Sequence, residues 1–295
     1  MSKEVIANLK KQIFDLHTQV SSLKDLVSSI EFSDYTVNEN SILMAIKDKS
    51  WPQAVEPALI CDPNNETEKL ERSRGIIEVY LDDPVKDKKV LDFGCGDGHL
   101  VAVGSEFAAK IIVGYDINSN KCWEGFKLSE SQKLTTSWDE VVANAPYDFV
   151  VAFDVLDHLE NDSIVDCLNK IKSVMHAQSK AYVRFHPYTS RHATHLYQNI
   201  NKAFLHLFMS EDEIKQNFPE AKPMKSIKIT KPLVTYEKHI HESGLKVVNR
   251  REVTENVEDF FTKDDKAKII MKHLEFDAFP KFQLSLCFVD YVLKL

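Results

Sequence analysis

Long hydrophobic runs are missing from this 295-residue sequence. No apolar stretch approaches the roughly 18 residues that a spanning helix needs, and nothing near the N-terminus reads as a secretory h-region. No membrane is therefore expected among its partners. Cysteine is sparse and scattered: Cys61, Cys95, Cys122, Cys167 and Cys287 include no C-x-x-C pair. That spacing speaks against disulfides and zinc modules and suits free thiols in a reducing compartment, so a cytoplasmic location is expected. Positive charge is in deficit, with 37 Lys+Arg against 45 Asp+Glu and a net charge of −8. A surface that binds nucleic acid non-specifically is disfavoured by that balance. Internal repeats and low-complexity tracts are also absent. What is present is an apolar fraction of 43%, enough to bury a full core, in a chain long enough for one large domain or two ordinary ones.

The charge is unevenly spread. From Gln178 to Arg251 there are 13 Lys+Arg against 6 Asp+Glu, so a basic stretch sits in an acidic chain. It reads either as a solvated face or as the place where an anionic partner lies. Lys222, Lys225, Lys228 and Lys231 fall within it.

The first 31 residues carry a heptad stripe: Ile6, Leu9, Ile13, Leu16, Val20, Leu23, Val27 and Ile30 alternate spacings of three and four. A β-branched residue at one seam position and mostly Leu at the other favour a parallel two-stranded coiled coil. Residues 1–31 are thus expected to make a homodimer. An amphipathic helix packed on its own domain is the competing reading, although such helices show a broader stripe. Residues 32–86 read as a helical connecting region, broken by prolines at 52, 57, 63 and 84, with a helix over 66–80.

From residue 87 to the end, strands and helices alternate, as in a doubly wound parallel sheet. Strands are expected at 89–93, 111–115, 134–136, 147–153, 181–185, 245–253 and 283–295, with helices at 100–109, 163–176 and 235–242. Two insertions, 187–231 and 254–281, interrupt the pattern. The fold class is α/β, a doubly wound, seven-stranded and mostly parallel sheet.

The decisive segment is Val90-Leu91-Asp92-Phe93-Gly94-Cys95-Gly96-Asp97-Gly98. A buried strand ends in an acid and a glycine-rich turn, and a helix follows. Glycine suits a backbone that turns with positive φ or must approach a ligand closely. A dinucleotide fingerprint would need Gly or Ala at position 99, where His stands. The turn resembles the first motif of class I S-adenosylmethionine-dependent methyltransferases. The run Gly114-Tyr115-Asp116-Ile117 is similar to the family's second motif, and 147–159, beginning Tyr147-Asp148 and holding Val155-Leu156-Asp157-His158-Leu159, to its fourth. The resemblance implies the class I fold and S-adenosylmethionine as cofactor. It places Asp92, Gly94, Cys95, Gly96 and Gly98 in the cofactor turn and Asp116 on the ribose, with Ile117 against the adenine. Ser137 and Trp138 take the adenine-contacting position, and Asp154 lies beside the methionine moiety.

Two further absences narrow the chemistry. No [DNS]-P-P-[YFW] clamp follows the fourth strand, which disfavours methylation of nucleic-acid bases. No carboxylate triad for a metal-dependent catechol-type site can be assembled from these motifs. After the fifth strand comes a segment dense in polar rings, running from Arg184 and His186 through Arg191, His192 and His195 to Tyr197. His186, His192 and His195 are the candidate catalytic residues, as a base or orienter at the acceptor, with a structural role as the alternative. A metal site is not assigned: no regular element puts all three on one face, and no cysteine or paired acid lies nearby in the chain.

The function expected is methyl transfer to an oxygen or nitrogen of a small-molecule or glycan acceptor, walled by the two insertions. The alternatives are a protein or RNA methyltransferase recruited through the coil, with nucleic acid the less favoured partner, and a non-catalytic scaffold that binds the cofactor.

Overall fold

A computed structural model describes residues 39–49, 51–56, 60, 62, 64–193, 196–220, 230–255 and 281–295. The coiled-coil seam, His195, Lys222, Lys225, Lys228 and most of the second insertion lie outside the described residues. Contacts divide the chain into two units, 1–42 and 43–295, and only 39–42 of the first are described.

Seven strands form one sheet: β1 (Lys89–Phe93), β2 (Ile111–Tyr115), β3 (Gln132–Thr135), β4 (Tyr147–Phe153), β5 (Met175–Phe185), β6 (Lys246–Thr254) and β7 (Leu286–Lys294). Their order is β3-β2-β1-β4-β5-β7-β6. The first five are parallel, and β7 runs antiparallel to both β5 and β6. The expected seven-stranded, mostly parallel sheet is therefore present. The order reverses between β1 and β4, and ligands of open α/β sheets bind outside the strand carboxyl ends at such a crevice.

The helices are α1 (Glu39–Lys47), α2 (Glu66–Gly75), α3 (His99–Val103), α4 (Trp138–Asn144), α5 (Asn161–Ser173), α6 (Leu205–Phe208), α7 (Glu211–Asn217), α8 (Leu233–Ser243) and α9 (Lys281–Ser285). Helix α2 continues into a wider turn over Ile76–Tyr80, so the expected 66–80 element is there with a change of winding. Several boundaries differ from expectation. The helix expected over 100–109 is α-helical only over His99–Val103 and tightens over Gly104–Phe107. The third strand runs over Gln132–Thr135, and the helix expected over 163–176 runs over Asn161–Ser173. Strand β5 begins at Met175, because His176 joins the sheet instead of ending the preceding helix. Its amide donates to Ser179 Oγ at 2.8 Å. Residues 283–285 belong to a helical turn, and the last strand begins at Leu286.

Parallel strands covered on both faces read as apolar runs, which is why β1 and β4 are almost uniformly buried. One core layer joins Leu91, Val113, Val150, Val183 and Phe185 to Ile164, Leu168, Ile171, Tyr236 and Ile240. The other joins Val90, Ile112, Phe149, Val151 and Tyr182 to Ile77, Leu81 and Leu100. Phe185 is stacked between Tyr236 and Tyr291, with ring centroids 4.2 and 5.5 Å away. Burying each such ring is worth about 1.5–3 kcal/mol, and the ring pairs add about 0.5–1.5 kcal/mol. Strand β6, at the sheet edge, is exposed along nearly its whole length.

The segment after α1 packs on the first insertion. Trp51 is 3% exposed; its Nε1 donates to the Ala203 carbonyl at 2.9 Å, and its ring meets Phe208 edge-on at 5.4 Å. Asn201 is clasped between the amide and the carbonyl of Val55.

Candidate active site

The glycine-rich turn leaves β1 with three left-handed glycines, Gly94, Gly96 and Gly98. At Gly94 the need for glycine is twofold: φ is +77°, and a Cβ would come within 2.5 Å of Val155 Cγ2. Gly96 is different, because a Cβ there meets nothing within 4 Å. Its backbone faces open space, as a cradle for a ligand requires. The turn is tied down by β2: the Gly94 and Cys95 amides both donate to the Tyr115 carbonyl, at 2.7 and 3.0 Å. The Asp116 carboxylate accepts from the Gly96 amide at 3.0 Å and from the Asn118 amide at 3.1 Å. Each carboxylate oxygen keeps a further lone pair for a ligand hydroxyl.

Ile117 is 75% exposed beside this carboxylate, an apolar side chain left where a planar ring could cover it. Cys95 contributes backbone only; its thiol is turned inward toward Gly114, and burial raises its pKa. Asp92, 8% exposed, is pushed up to about 7, first by burial and then by the charge of Asp116. A buried acid beside a second carboxylate suits a ligand carrying positive charge.

Ser137 starts α4, and its amide donates to Thr135 Oγ1 at 2.9 Å. The Trp138 ring packs edge-on against Tyr115 and Phe93, at 5.3 and 6.0 Å, with the Lys170 ammonium 5.6 Å from its centre. Its described contacts are therefore with the core beneath the site. Trp123, which sequence reasoning did not single out, lies over the turn: Nε1 donates to the Gly96 carbonyl at 2.8 Å.

Helix α2 straps the same turn. His99 Nε2 meets Glu66 Oε1 at 2.8 Å, Lys69 Nζ meets Asp97 Oδ2 at 2.8 Å, and Arg72 Nη2 meets Asp154 Oδ2 at 3.4 Å. The Lys69 ammonium holds the Asp97 carboxyl below its usual range. Positions 66, 69 and 72 share one helix face, a pattern that the sequence contained but that gains meaning only once the turn is beneath it.

At the ends of β4 and β5 lies a second constellation. Asp154 adopts φ +57°, an uncommon left-handed conformation for a non-glycine residue, of the kind that clusters at functional sites. Its Oδ1 is 3.4 Å from His186 Nε2, while His186 Nδ1 donates to the Cys287 carbonyl at 3.0 Å. The His186 amide donates to Asp157 Oδ2 at 3.3 Å. Asp157 is 1% exposed and pushed up to about 6, by burial and then by Asp154. Burial pulls the His186 imidazole down, but the carboxylates of Asp154 and Asp157 outweigh it, and the net direction is up.

The structure brings His186 and His192 together, with ring centroids 4.8 Å apart. His206 has a structural role: burial pushes it down to about 4, and Nε2 donates to the Tyr188 carbonyl at 2.7 Å. Lys231, counted above in the basic stretch, is 9% exposed and donates to the Leu159 carbonyl at 2.5 Å, so it offers nothing to an anionic partner. Arg184 was noticed but given no role in the sequence. It forms a bidentate pair with Asp290 at 2.6 and 2.9 Å, and its guanidinium packs against Phe288, Tyr80 and Phe153 at 3.9, 4.2 and 4.4 Å.

A family model described as a methyltransferase domain matches residues 66–221. The match begins at α2 and continues through most of the first insertion, beyond the stretch on which the sequence resemblance rests. Among solved structures, the chain is similar to an S-adenosylmethionine-dependent methyltransferase from Archaeoglobus fulgidus, at 17% identity and TM-score 0.45 over 78% of this chain and 95% of that one. A second is magnesium protoporphyrin IX methyltransferase from Synechocystis, at 14% identity and TM-score 0.45, covering 78% and 83%. A third comes from Listeria monocytogenes, at 15% identity and TM-score 0.46, covering 78% and 96%. No curated protein matches the chain.

Proposed function

Because the chain belongs to the methyltransferase-domain family and uses S-adenosylmethionine, we propose that it methylates an oxygen or nitrogen of a small-molecule or glycan acceptor, with His186 as the base. The observation that carries this reading is the His186–Asp154 pair at the carboxyl ends of β5 and β4. When bound, the cofactor supplies an electrophilic methyl group on a sulfonium. The rest of the step falls to the chain. Gly94–Gly98 and Asp116 hold the ligand, and Asp92 and Asp116 favour its positive charge.

With Nδ1 committed to the Cys287 carbonyl, His186 presents Nε2 to the acceptor. Nε2 lies 3.4 Å from Asp154 Oδ1, and Asp154 is the more exposed of the two. An acceptor O–H or N–H donates to Nε2, and the imidazolium that forms is stabilised by the Asp154 and Asp157 carboxylates. Alignment of the reactants can supply roughly 7–11 kcal/mol, and a base adds a factor of about 10²–10⁴. Positioning by the strapped turn is thus the larger contribution, and the base matters most for a hydroxyl or a protonated amine.

The heptad seam supports a homodimer through residues 1–31, which light scattering on the intact chain and on a 1–31 deletion would test. Among the described residues no helix is long and apolar enough to cross a membrane. The acceptor reading is tested by incubating the protein with radiolabelled cofactor and pools of small molecules, glycans, proteins and RNA. Label confined to protein or RNA would overturn it. Calorimetry with S-adenosylmethionine, S-adenosylhomocysteine and NAD tests the cofactor end, where NAD should not bind measurably.

A further inference from the structure

Next to the His186 pair, and separate from it, three chemically different side chains converge. His192 comes from the first insertion, Glu255 follows β6, and Cys287 lies near the start of β7. Their ligating atoms all fall within 4.8 Å of one another. Cys287 Sγ is 3.3 Å from His192 Nε2. Around a tetrahedral zinc with Zn–S about 2.3 Å and Zn–N about 2.0 Å, sulfur and nitrogen sit about 3.5 Å apart, so the pair is already at ligand spacing. His192 and Cys287 are each 7% exposed. Cys287 belongs to β7, and the Glu255 amide donates to the Ser285 carbonyl at 2.8 Å.

We propose that His192, Glu255 and Cys287 bind a zinc-class divalent cation, with a fourth position open to water. The donor set selects the metal class: thiolate and imidazole suit zinc, whereas magnesium and calcium take oxygen ligands. Arg191 pairs with Glu255. A carboxylate has two oxygens, so this pairing orients the ligand while one oxygen serves the ion, the usual arrangement around a metal-bound carboxylate. On binding, the Sγ–H bond breaks, its proton passes to solvent and the sulfur lone pair goes to the metal, with no change of oxidation state.

Such an ion ties the first insertion to the edge strand β6 and its neighbour β7. It also steadies His186, whose Nδ1 rests on the carbonyl of Cys287 itself. The His192 site does not depend on His186 being the base. The nearby Asp154–Asp157–His186 trio also lies within ligand reach of a metal, so the test must separate the two clusters.

The test uses the full chain stripped with a chelator and loaded with Zn²⁺ alone or Co²⁺ alone. Bound metal is counted by mass spectrometry, and Co²⁺ is read by its thiolate charge-transfer absorption. Stoichiometric uptake with that absorption is expected in the wild type and in His186→Ala. Cys287→Ser should abolish the absorption. His192→Ala should weaken binding by more than the roughly 10–100-fold that loss of an outer partner costs. Calorimetry with S-adenosylmethionine on the same variants reports that the fold persists. Should Cys287→Ser not fold, the Co²⁺ band decides by being kept in His186→Ala and lost or weakened in His192→Ala. No uptake, uptake without the thiolate band, or a band that His186→Ala abolishes and His192→Ala retains would overturn the proposal.

Discussion

The glycine-rich turn and the His186 cluster, proposed as the cofactor and acceptor ends, are assembled in opposite ways. The turn is made from neighbours in the chain: the Gly96 amide and the Asp116 carboxylate that holds it are 20 residues apart, just past the ends of two adjacent parallel strands. The cluster around His186 draws on the carbonyl of Cys287, 101 residues away, and His192 meets the thiol of Cys287 across 95. The turn works mainly through backbone amides and φ angles, so few sequences satisfy it and the pattern is easily read. The cluster works through side chains brought together by the reversed strand β7, and any of several segments could have supplied them. The first end should therefore respond to substitution in binding and the second in turnover.

The largest effect is expected from Asp116→Ala. Two charge-assisted hydrogen bonds to the ligand, at about 1.5–3 kcal/mol each, are at stake, as well as the restraint on the Gly96 amide. Calorimetry should show a loss of S-adenosylmethionine affinity of several kcal/mol with an unchanged circular dichroism spectrum. A change of only a few-fold would mean that the carboxylate does not face the ligand.

His186→Ala supplies the converse. Turnover should fall by about 10²–10⁴ while cofactor affinity stays within a few-fold. Equal losses in both quantities would erase the division between the two ends.

Asp92 sharpens the comparison from the side of stability. Its unfolded carboxyl titrates near 3.8 and its folded one near 7, so the folded protein holds the extra proton between those values. Apo-protein stability should fall as pH rises through that window and stay low above it, by on the order of a few kcal/mol. Asp92→Asn removes this penalty. Denaturant melts at pH 5 and pH 8 should show the variant gaining stability over the wild type mainly at pH 8, and binding the cationic cofactor more weakly. A gain that is the same at both pH values would place the effect elsewhere.

The smallest expected effect is a shift in a pH profile. Asp154 raises the His186 pKa, and the base works only when neutral. The acid limb of kcat/KM should therefore lie above the ordinary imidazole range and move to lower pH in Asp154→Asn. An unmoved limb would assign the titration to another group, Asp157 being the nearest.

Much of the glycine-rich turn's geometry was legible beforehand, because strand, acid, glycine turn and second acid follow one another in a fixed local order. Less was legible about Trp138. Its position matched a resemblance, but its ring makes core contacts with Tyr115 and Phe93. The reach of β5 back to Met175 was hidden as well, since Met175 pairs with Tyr147 across a register shift from the rest of the strand, a tertiary pairing that the local pattern does not carry. Lys231 looked like one more surface cation until its ammonium was found on the Leu159 carbonyl.

The sequence by itself determined the sheet, the glycine turn and the carboxylate after β2, since hydrophobic period and backbone conformation are properties of contiguous residues. Tertiary structure alone decided which histidine meets which partner. Read along the chain, His186, His192 and His195 had no cysteine or paired acid nearby. Folding β7 antiparallel beside β5 set the Cys287 carbonyl against His186 and its thiol against His192, and the end of β6 delivered Glu255 to the same place. Contacts of that kind depend on strand order and direction, which the spacing of residues along a chain does not encode.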